Sequence, residues 1–335
     1  MGHHSLRELL PIAHPVSIPL ATEFRGLAHR EAVIFDAPDG PAEWSPFTEY
    51  GDEEAARWLA SALEQGFQAA TTPAPTKPVG TIRVNGTLPA IPAEQVASFL
   101  ARLGMPSTVK VKVGGPGSSR AKDIARVAAV RVALGPSGRI RLDANGSWTL
   151  DEAEHTIRDM EHLDIDYVEQ PVEALADLAQ LRSRIARLGI QVAADESIRR
   201  SSDIDAVIAA SACDVVVIKV QPLGGIHACL SVIEKARNAG LQVVVSSALE
   251  TSVGLHYAAQ LQLLLAETNS VVLDAGLATA SLLAGDVVVA PLIADGSDLL
   301  VRPLSLDTAA LKRFALPSER QKWWFSRLER CLALV

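Results

Sequence analysis

The chain has 335 residues and a mass of 35.6 kDa, with 48% hydrophobic positions, which is long for one ordinary domain and apolar enough to bury a large core. Its 39 acidic side chains outnumber 31 basic ones, for a formal charge of −8, and no sustained basic run follows a phosphate backbone, so a nucleic-acid partner is not expected. Three cysteines, Cys213, Cys229 and Cys331, with no C-x-x-C spacing, speak against a disulfide framework and a thiolate zinc site.

In chain order, the start Met-Gly-His-His-Ser lacks an apolar signal core, and no apolar stretch reaches the ~20 residues of a membrane span. The expectation is therefore a cytoplasmic protein without a membrane partner, monomeric or weakly homo-oligomeric, in which the His3 and His4 pair has no metal role. Residues 14–20, 32–36 and Trp44 are short extended candidates separated by Asp-Gly and Pro signals, which predicts antiparallel strands. A helix follows, with Asp52 as N-cap, Ala55, Ala56, Leu59, Ala60 and Leu63 at helical spacing, and Gly66 closing it in the left-handed conformation. Pro73, Pro75 and Pro78 mark a linker.

From Thr81 to about Asp274 the text changes to short β-branched runs, each followed by helical periodicity, the pattern of βαβ units around a parallel sheet. The runs are 81–84, 109–113, 140–143, 166–169, 191–195, 214–220, 242–245 and 271–273. Their spacing favours a (β/α) barrel over an open doubly wound sheet, whose Gly-x-Gly-x-x-Gly turn is absent after the first run. Residues 286–291 and 299–301 again read as strands, and 308–332 as a helix carrying Trp323, Trp324 and Phe325, expected to glue the tail to the N-terminal part. The expected fold class is α/β: a barrel over 81–289, flanked by an α+β cap over 1–80 to which the tail 290–335 contributes.

Charges inside parallel strands are costly, yet five runs carry them near their C-terminal ends, where a (β/α) barrel has its active-site mouth. Asp143, Glu169 and Asp195 come from three consecutive runs at separations of 26 and 26 residues (169 − 143 and 195 − 169), so three carboxylates arrive side by side on strands about 4.8 Å apart. Three such anions repel unless a divalent cation takes them as hard oxygen ligands, and with no His or Cys beside them Mg²⁺ suits better than zinc. Lysines flank the trio. Lys110 and Lys112 are two apart and share a face, about 6.6 Å from each other along the strand, while their valine neighbours turn toward the covering helices. Lys219 faces the same cavity from the opposite wall. An ammonium beside a like charge and a metal has its pKa lowered toward the working range of a general base, which suggests proton removal from a carbon next to a carboxylate.

Lys110-x-Lys112, Asp143-Ala-Asn145-Gly-Ser-Trp, Glu169-Gln-Pro, Asp195-Glu-Ser and Ile-Lys219 together resemble the enolase superfamily, muconate-lactonizing subgroup. The resemblance covers nearly the whole chain and implies a (β/α)₇β TIM-like barrel with an α+β capping domain. It implies Mg²⁺, with Mn²⁺ as substitute, on Asp143, Glu169 and Asp195, acid/base chemistry at Lys112 and Lys219, and an auxiliary Lys110. The segments 44–50, 83–90 and 245–254 are similar to actinobacterial o-succinylbenzoate synthases of menaquinone biosynthesis. That likeness implies a lyase dehydrating 2-succinyl-6-hydroxy-2,4-cyclohexadiene-1-carboxylate to 2-succinylbenzoate. An N-acylamino-acid racemase or dipeptide epimerase using the same lysines stays open, as does a catalytically inactive enolase-like binding protein. The turn Gln221-Pro-Leu-Gly-Gly, without the arginine that racemase-capable relatives often carry, favours the synthase. Arg141 is a candidate for orienting a ligand or the substrate, or equally for holding a carboxylate in place, Asn145 and Glu196 for supporting the metal ligands, and Ser247 for donating to the succinyl carboxylate. Cap loops near residues 20 and 45–50 are expected to select the succinyl arm.

Overall fold

The computed structural model describes residues 4–24, 26–268 and 272–335, so His3 and Val271 of the expectations above lie outside the described residues. The N-terminal part folds as expected into an antiparallel sheet, β1 (Ala13–Phe24), β2 (Leu27–Ala37) and β3 (Gly40–Trp44), in the order β1-β2-β3. The helix Asp52–Phe67 packs on it. Gly51, not Asp52, is its N-cap, and Gly66 does not end it. A Cβ at Gly66 would come within 2.6 Å of Ala37 Cβ, so glycine is there to let helix and sheet approach.

Next, β4 (Gly80–Arg83) departs from expectation. It pairs antiparallel with β12 (Asp298–Val301) in a separate ribbon instead of opening the barrel. The first barrel strand is β5 (Gly86–Leu88), hidden in the sequence because Asn85-Gly86 reads as a turn; Gly86 packs against Pro106, where a side chain would collide. The barrel continues with β6 (Thr108–Lys112), β7 (Arg139–Asp143), β8 (Ile165–Glu169), β9 (Gln191–Ala194), β10 (Val215–Lys219) and β11 (Gln242–Ser246), all parallel and in sequence order. Between β11 and β5 the wall is closed by single bridges, Val84 to Ala275 and Ser246 to Gly276, in place of a full eighth strand.

Side-chain alternation sorts the barrel into two environments. Val109, Val111, Ile140, Leu142, Val192, Val216, Ile218, Val243 and Val245 join helix residues such as Val127, Val130 and Ile157 in the large outer core. Tyr167, Ala193, Val215, Val217 and Val244 instead form a small cluster that fills the barrel floor. Residues 286–291 form no strand; Asp286 accepts hydrogen bonds from Ser252 N (3.0 Å) and Oγ (2.7 Å) at the start of the helix Ser252–Glu267. The tail is two helices, Thr308–Arg313 and Ser318–Leu332, broken at Pro317. Trp324 is fully buried edge-on against Trp44 at 5.3 Å and donates from Nε1 to Glu31 (2.6 Å), which ties the tail to the N-terminal sheet. No helix of the described residues is long and apolar enough to cross a membrane.

Candidate active site

Strand register assembles the site. Lys112 stands opposite Asp143, and Asp143 opposite Glu169; Glu169 pairs with Ala193, two residues before Asp195. One layer deeper, Thr87, Lys110, Arg141, Tyr167 and Gln191 pair in turn. All three carboxylates and all three lysines therefore meet at the C-terminal mouth, and each acid is closed on an amine. Lys110 Nζ lies 2.9 Å from Glu169 and 3.4 Å from Asp143; Lys112 Nζ lies 2.5 Å from Asp143, and Lys219 Nζ 2.5 Å from Asp195.

The electrostatics divide the lysines. Burial lowers the Lys112 ammonium from its ordinary value, and Lys110 adds to this against the attraction of Asp143. Burial also opposes the Lys219 charge, but Asp195, Glu196 and Glu169 outweigh it and raise that group. Lys110 is raised as well, since Glu169 and Asp143 overcome its burial. Asp143 and Asp195 stay low because the lysines outweigh their burial. Glu169 is raised, by burial first and then by Asp143 and Asp195 against the pull of Lys110.

A cleft of about 420 Å³ opens above these groups, lined by Lys110, Lys112, Asp143, Asn145, Lys219 and, from the far wall, Ser246, Ser247 and Thr279. A second lobe of about 340 Å³, with Tyr50, Trp58, Asp195, Glu196 and Arg199, shares Phe47, Lys219 and Ala248 with the first. Of the two cap loops expected to select the substrate arm, 45–50 supplies Phe47 and Tyr50, while the side chains of 22–25 lie outside the described residues.

The remaining candidates separate. Asn145, at φ 48, accepts from Lys112 (2.6 Å) and donates to Glu196 (3.0 Å), which links the two residues beside the lysine. Arg141 does not reach the cleft. It is fully buried beneath it, stacked on Tyr167 at 4.9 Å, and crosses the barrel floor to Asn85 Oδ1 (3.0 Å) and the Asp274 carbonyl (2.6 Å). Ser247 lines the cleft, but its hydroxyl is engaged by the Gly276 carbonyl (2.9 Å) and Thr279 Oγ1 (2.8 Å), the backbone-type role usual for a serine at a strand end.

Several site residues escaped the sequence reading. Gln170, at φ 37, accepts from Asp195 N (3.0 Å) and Ser197 N (3.1 Å) and donates to Val172 O, so the residue after one acid fixes the backbone of the next. Its place in Glu169-Gln-Pro was the available signal. Thr87 Oγ1 and Trp58 Nε1 are buried at the walls of the two lobes with no hydrogen-bond partner among the described residues. Thr87 was hidden by the misplaced first strand, and Trp58 by its helical, core-like spacing.

All donors at the mouth are hard carboxylate oxygens, the set a Mg²⁺-class ion prefers. Among the described residues, no three His, Cys, Asp or Glu side chains stand grouped to hold a metal ion, and each of the three carboxylates lies against a lysine. Asp143, Glu169 and Asp195 would take such an ion by releasing those amines.

Known proteins resemble the chain in sequence and in fold. The Enolase N-terminal domain-like model matches residues 15–66 and the Enolase C-terminal domain-like model residues 93–301. The o-succinylbenzoate synthase of Thermobifida fusca is 45% identical over 298 residues, covering 88% of this chain and 89% of the relative. That of Mycolicibacterium smegmatis is 39% identical over 335 residues, covering 100% and 99%. Among solved structures, the muconate lactonizing enzyme from Pseudomonas putida gives a TM-score of 0.75 at 20% identity, covering 91% of this chain and 98% of that one. The L-Ala-D/L-Glu epimerase from Bacillus subtilis gives 0.74 at 22%, covering 88% and 98%. At such identities these two speak for the fold alone. With a family model over more than half of its length, and whole-length relatives near two residues in five identical, the chain belongs to the enolase superfamily.

Proposed function

We propose that this chain catalyses the o-succinylbenzoate synthase reaction, the dehydration of 2-succinyl-6-hydroxy-2,4-cyclohexadiene-1-carboxylate to 2-succinylbenzoate. The observation that carries the chemistry is the placement of Lys112 and Lys219 on opposite walls of one cleft, with carboxylates between them. The choice of substrate rests on the whole-length relatives bearing that name. In this reading Lys112, as the free amine, takes the proton from the ring carbon that bears the carboxylate. The C–H electron pair moves into the carboxylate as an enolate. Lys219 stays cationic and donates to the enolate oxygens. The Lys112 ammonium then returns its proton to the departing hydroxyl on the same face; the C–O bond breaks, water leaves, and the ring becomes aromatic. Asn145 orients Lys112, and Lys110 holds Glu169. A Mg²⁺ ion held by Asp143, Glu169 and Asp195 would supply Lewis-acid stabilisation of the carboxylate charge. The test is direct formation of 2-succinylbenzoate, monitored by the absorbance of the new aromatic ring. No product from the hydroxycyclohexadiene substrate, together with deuterium uptake at the α-carbon of N-succinyl-phenylalanine in D₂O, would move the assignment to racemase chemistry.

A further inference from the structure

We propose that Arg30, a cap residue that lines neither lobe of the cleft, is a positioning residue that holds both of its walls for substrate. The inference rests on reading this cleft as the substrate site. Arg30 lies on β2 and is 3% exposed. Its Nε donates to the Leu249 carbonyl (3.1 Å), and its Nη2 to the carbonyls of Ala248 (3.2 Å) and Ser45. The Phe47 ring sits 4.3 Å from the guanidinium carbon. One planar cation thus joins the loop that follows β11 in the barrel to the loop that follows β3 in the cap. Those loops are the cleft walls: Phe47, Ala248 and Leu249 line the first lobe, and Phe47 and Ala248 the second.

Leu249 has φ +64, in the left-handed region that a leucine rarely adopts. Such strain persists where the surroundings over-determine it and gathers at ligand clamps. The carbonyl that Arg30 Nε holds belongs to this strained residue. On either side, Ala248 N donates to Glu250 Oε2 (2.6 Å), and Ser45 N donates to Gln221 Oε1 (3.1 Å), two residues past Lys219. The wall that covers the substrate is thereby referenced to the strand that carries a reacting lysine.

Arg30→Lys keeps the buried charge beside Glu43 and Glu250 but lacks a planar fork to serve three carbonyls. It is compared with wild type by steady-state formation of 2-succinylbenzoate and by amide hydrogen exchange. The expected result is a KM raised about tenfold or more with kcat held within about threefold, and faster exchange confined to residues 45–50 and 246–251. A lowered kcat at unchanged KM, the mark of a smaller folded fraction, overturns the proposal. So does unchanged exchange in both segments. Adding Leu249→Gly, which adopts the left-handed φ without help, restores slow exchange in 246–251 but not in 45–50; failure of that rescue also counts against the clamp. Should Arg30→Lys not fold, wild-type exchange decides alone: with one guanidinium closing both, the two segments open with a common free energy, and separate openings refute it. A wild-type protein that forms no 2-succinylbenzoate overturns the reaction assignment, and the exchange data then judge Arg30 independently.

Discussion

Glu43 offers a sharp test of how the cap is held to the barrel. Its carboxylate is fully buried and accepts hydrogen bonds from Thr251 Oγ1 (2.5 Å), Thr251 N (3.1 Å) and Gly254 N (2.9 Å), at the N-terminus of the helix Ser252–Glu267. Burial pushes this carboxyl from 4.5 up to about 7, with neighbouring Glu250 adding and the Thr251 hydrogen bond opposing. Since the folded value exceeds the unfolded one, the acid costs nothing below about pH 4.5, and the cost of charging it grows until the pH passes about 7. The rise from 4.5 to about 7 corresponds to about 3–4 kcal/mol. A helix end returns about 1 kcal/mol for an anion at most sites, so the penalty wins. Glu43→Gln keeps an acceptor for the same donors without a charge. Urea melts followed by tryptophan fluorescence are expected to give nearly equal stabilities at about pH 5, and a variant more stable by roughly 2–3 kcal/mol at about pH 8. A difference that stays constant with pH, or one that moves in favour of wild type as pH rises, would refute the reasoning.

Other expectations follow from the site and the cap. Lys112→Ala leaves the melting curve within about 1 kcal/mol of wild type while abolishing 2-succinylbenzoate formation; substantial residual turnover removes Lys112 from the mechanism. Exhaustive chelation stops turnover and Mg²⁺ or Mn²⁺ restores it; activity indifferent to EDTA shows the carboxylate trio does other work. Trp324→Ala, which empties a fully buried site against Trp44 and leaves Glu31 without its indole donor, costs about 3–5 kcal/mol in urea melts, and a loss under about 1 kcal/mol would show that the tail is not part of the cap core.

The grouping of lysines and carboxylates was legible because buried ions in parallel strands are rare. Lys112, Asp143, Glu169 and Lys219 each broke an apolar run at its C-terminal end, and a period of 2 within strands put Lys110 and Lys112 on one face. Support from across the fold was not legible. Arg141 shares a strand face with Asp143, but its depth in the barrel, set by register against Tyr167, places it beneath the cleft and not on its lining. Thr87 was lost because Asn85-Gly86 looks like a turn, when Gly86 is there to clear Pro106. Gly66 misled in the same way, since close packing and left-handed termination both call for glycine and local text does not distinguish them. Arg30 is 15 residues from Ser45 and 219 from Leu249, and no local pattern joins them.

The seam between β11 and β5 has a mechanical consequence. A closed ladder spreads load around its hoop, but here that arc hangs on Val84 to Ala275 and Ser246 to Gly276. Arg141 runs from the opposite side to the Asp274 carbonyl just ahead of both bridges, like a spoke bracing the weakest stretch of a rim. That spoke is a buried side chain, lying beneath the mouth where the amines stand.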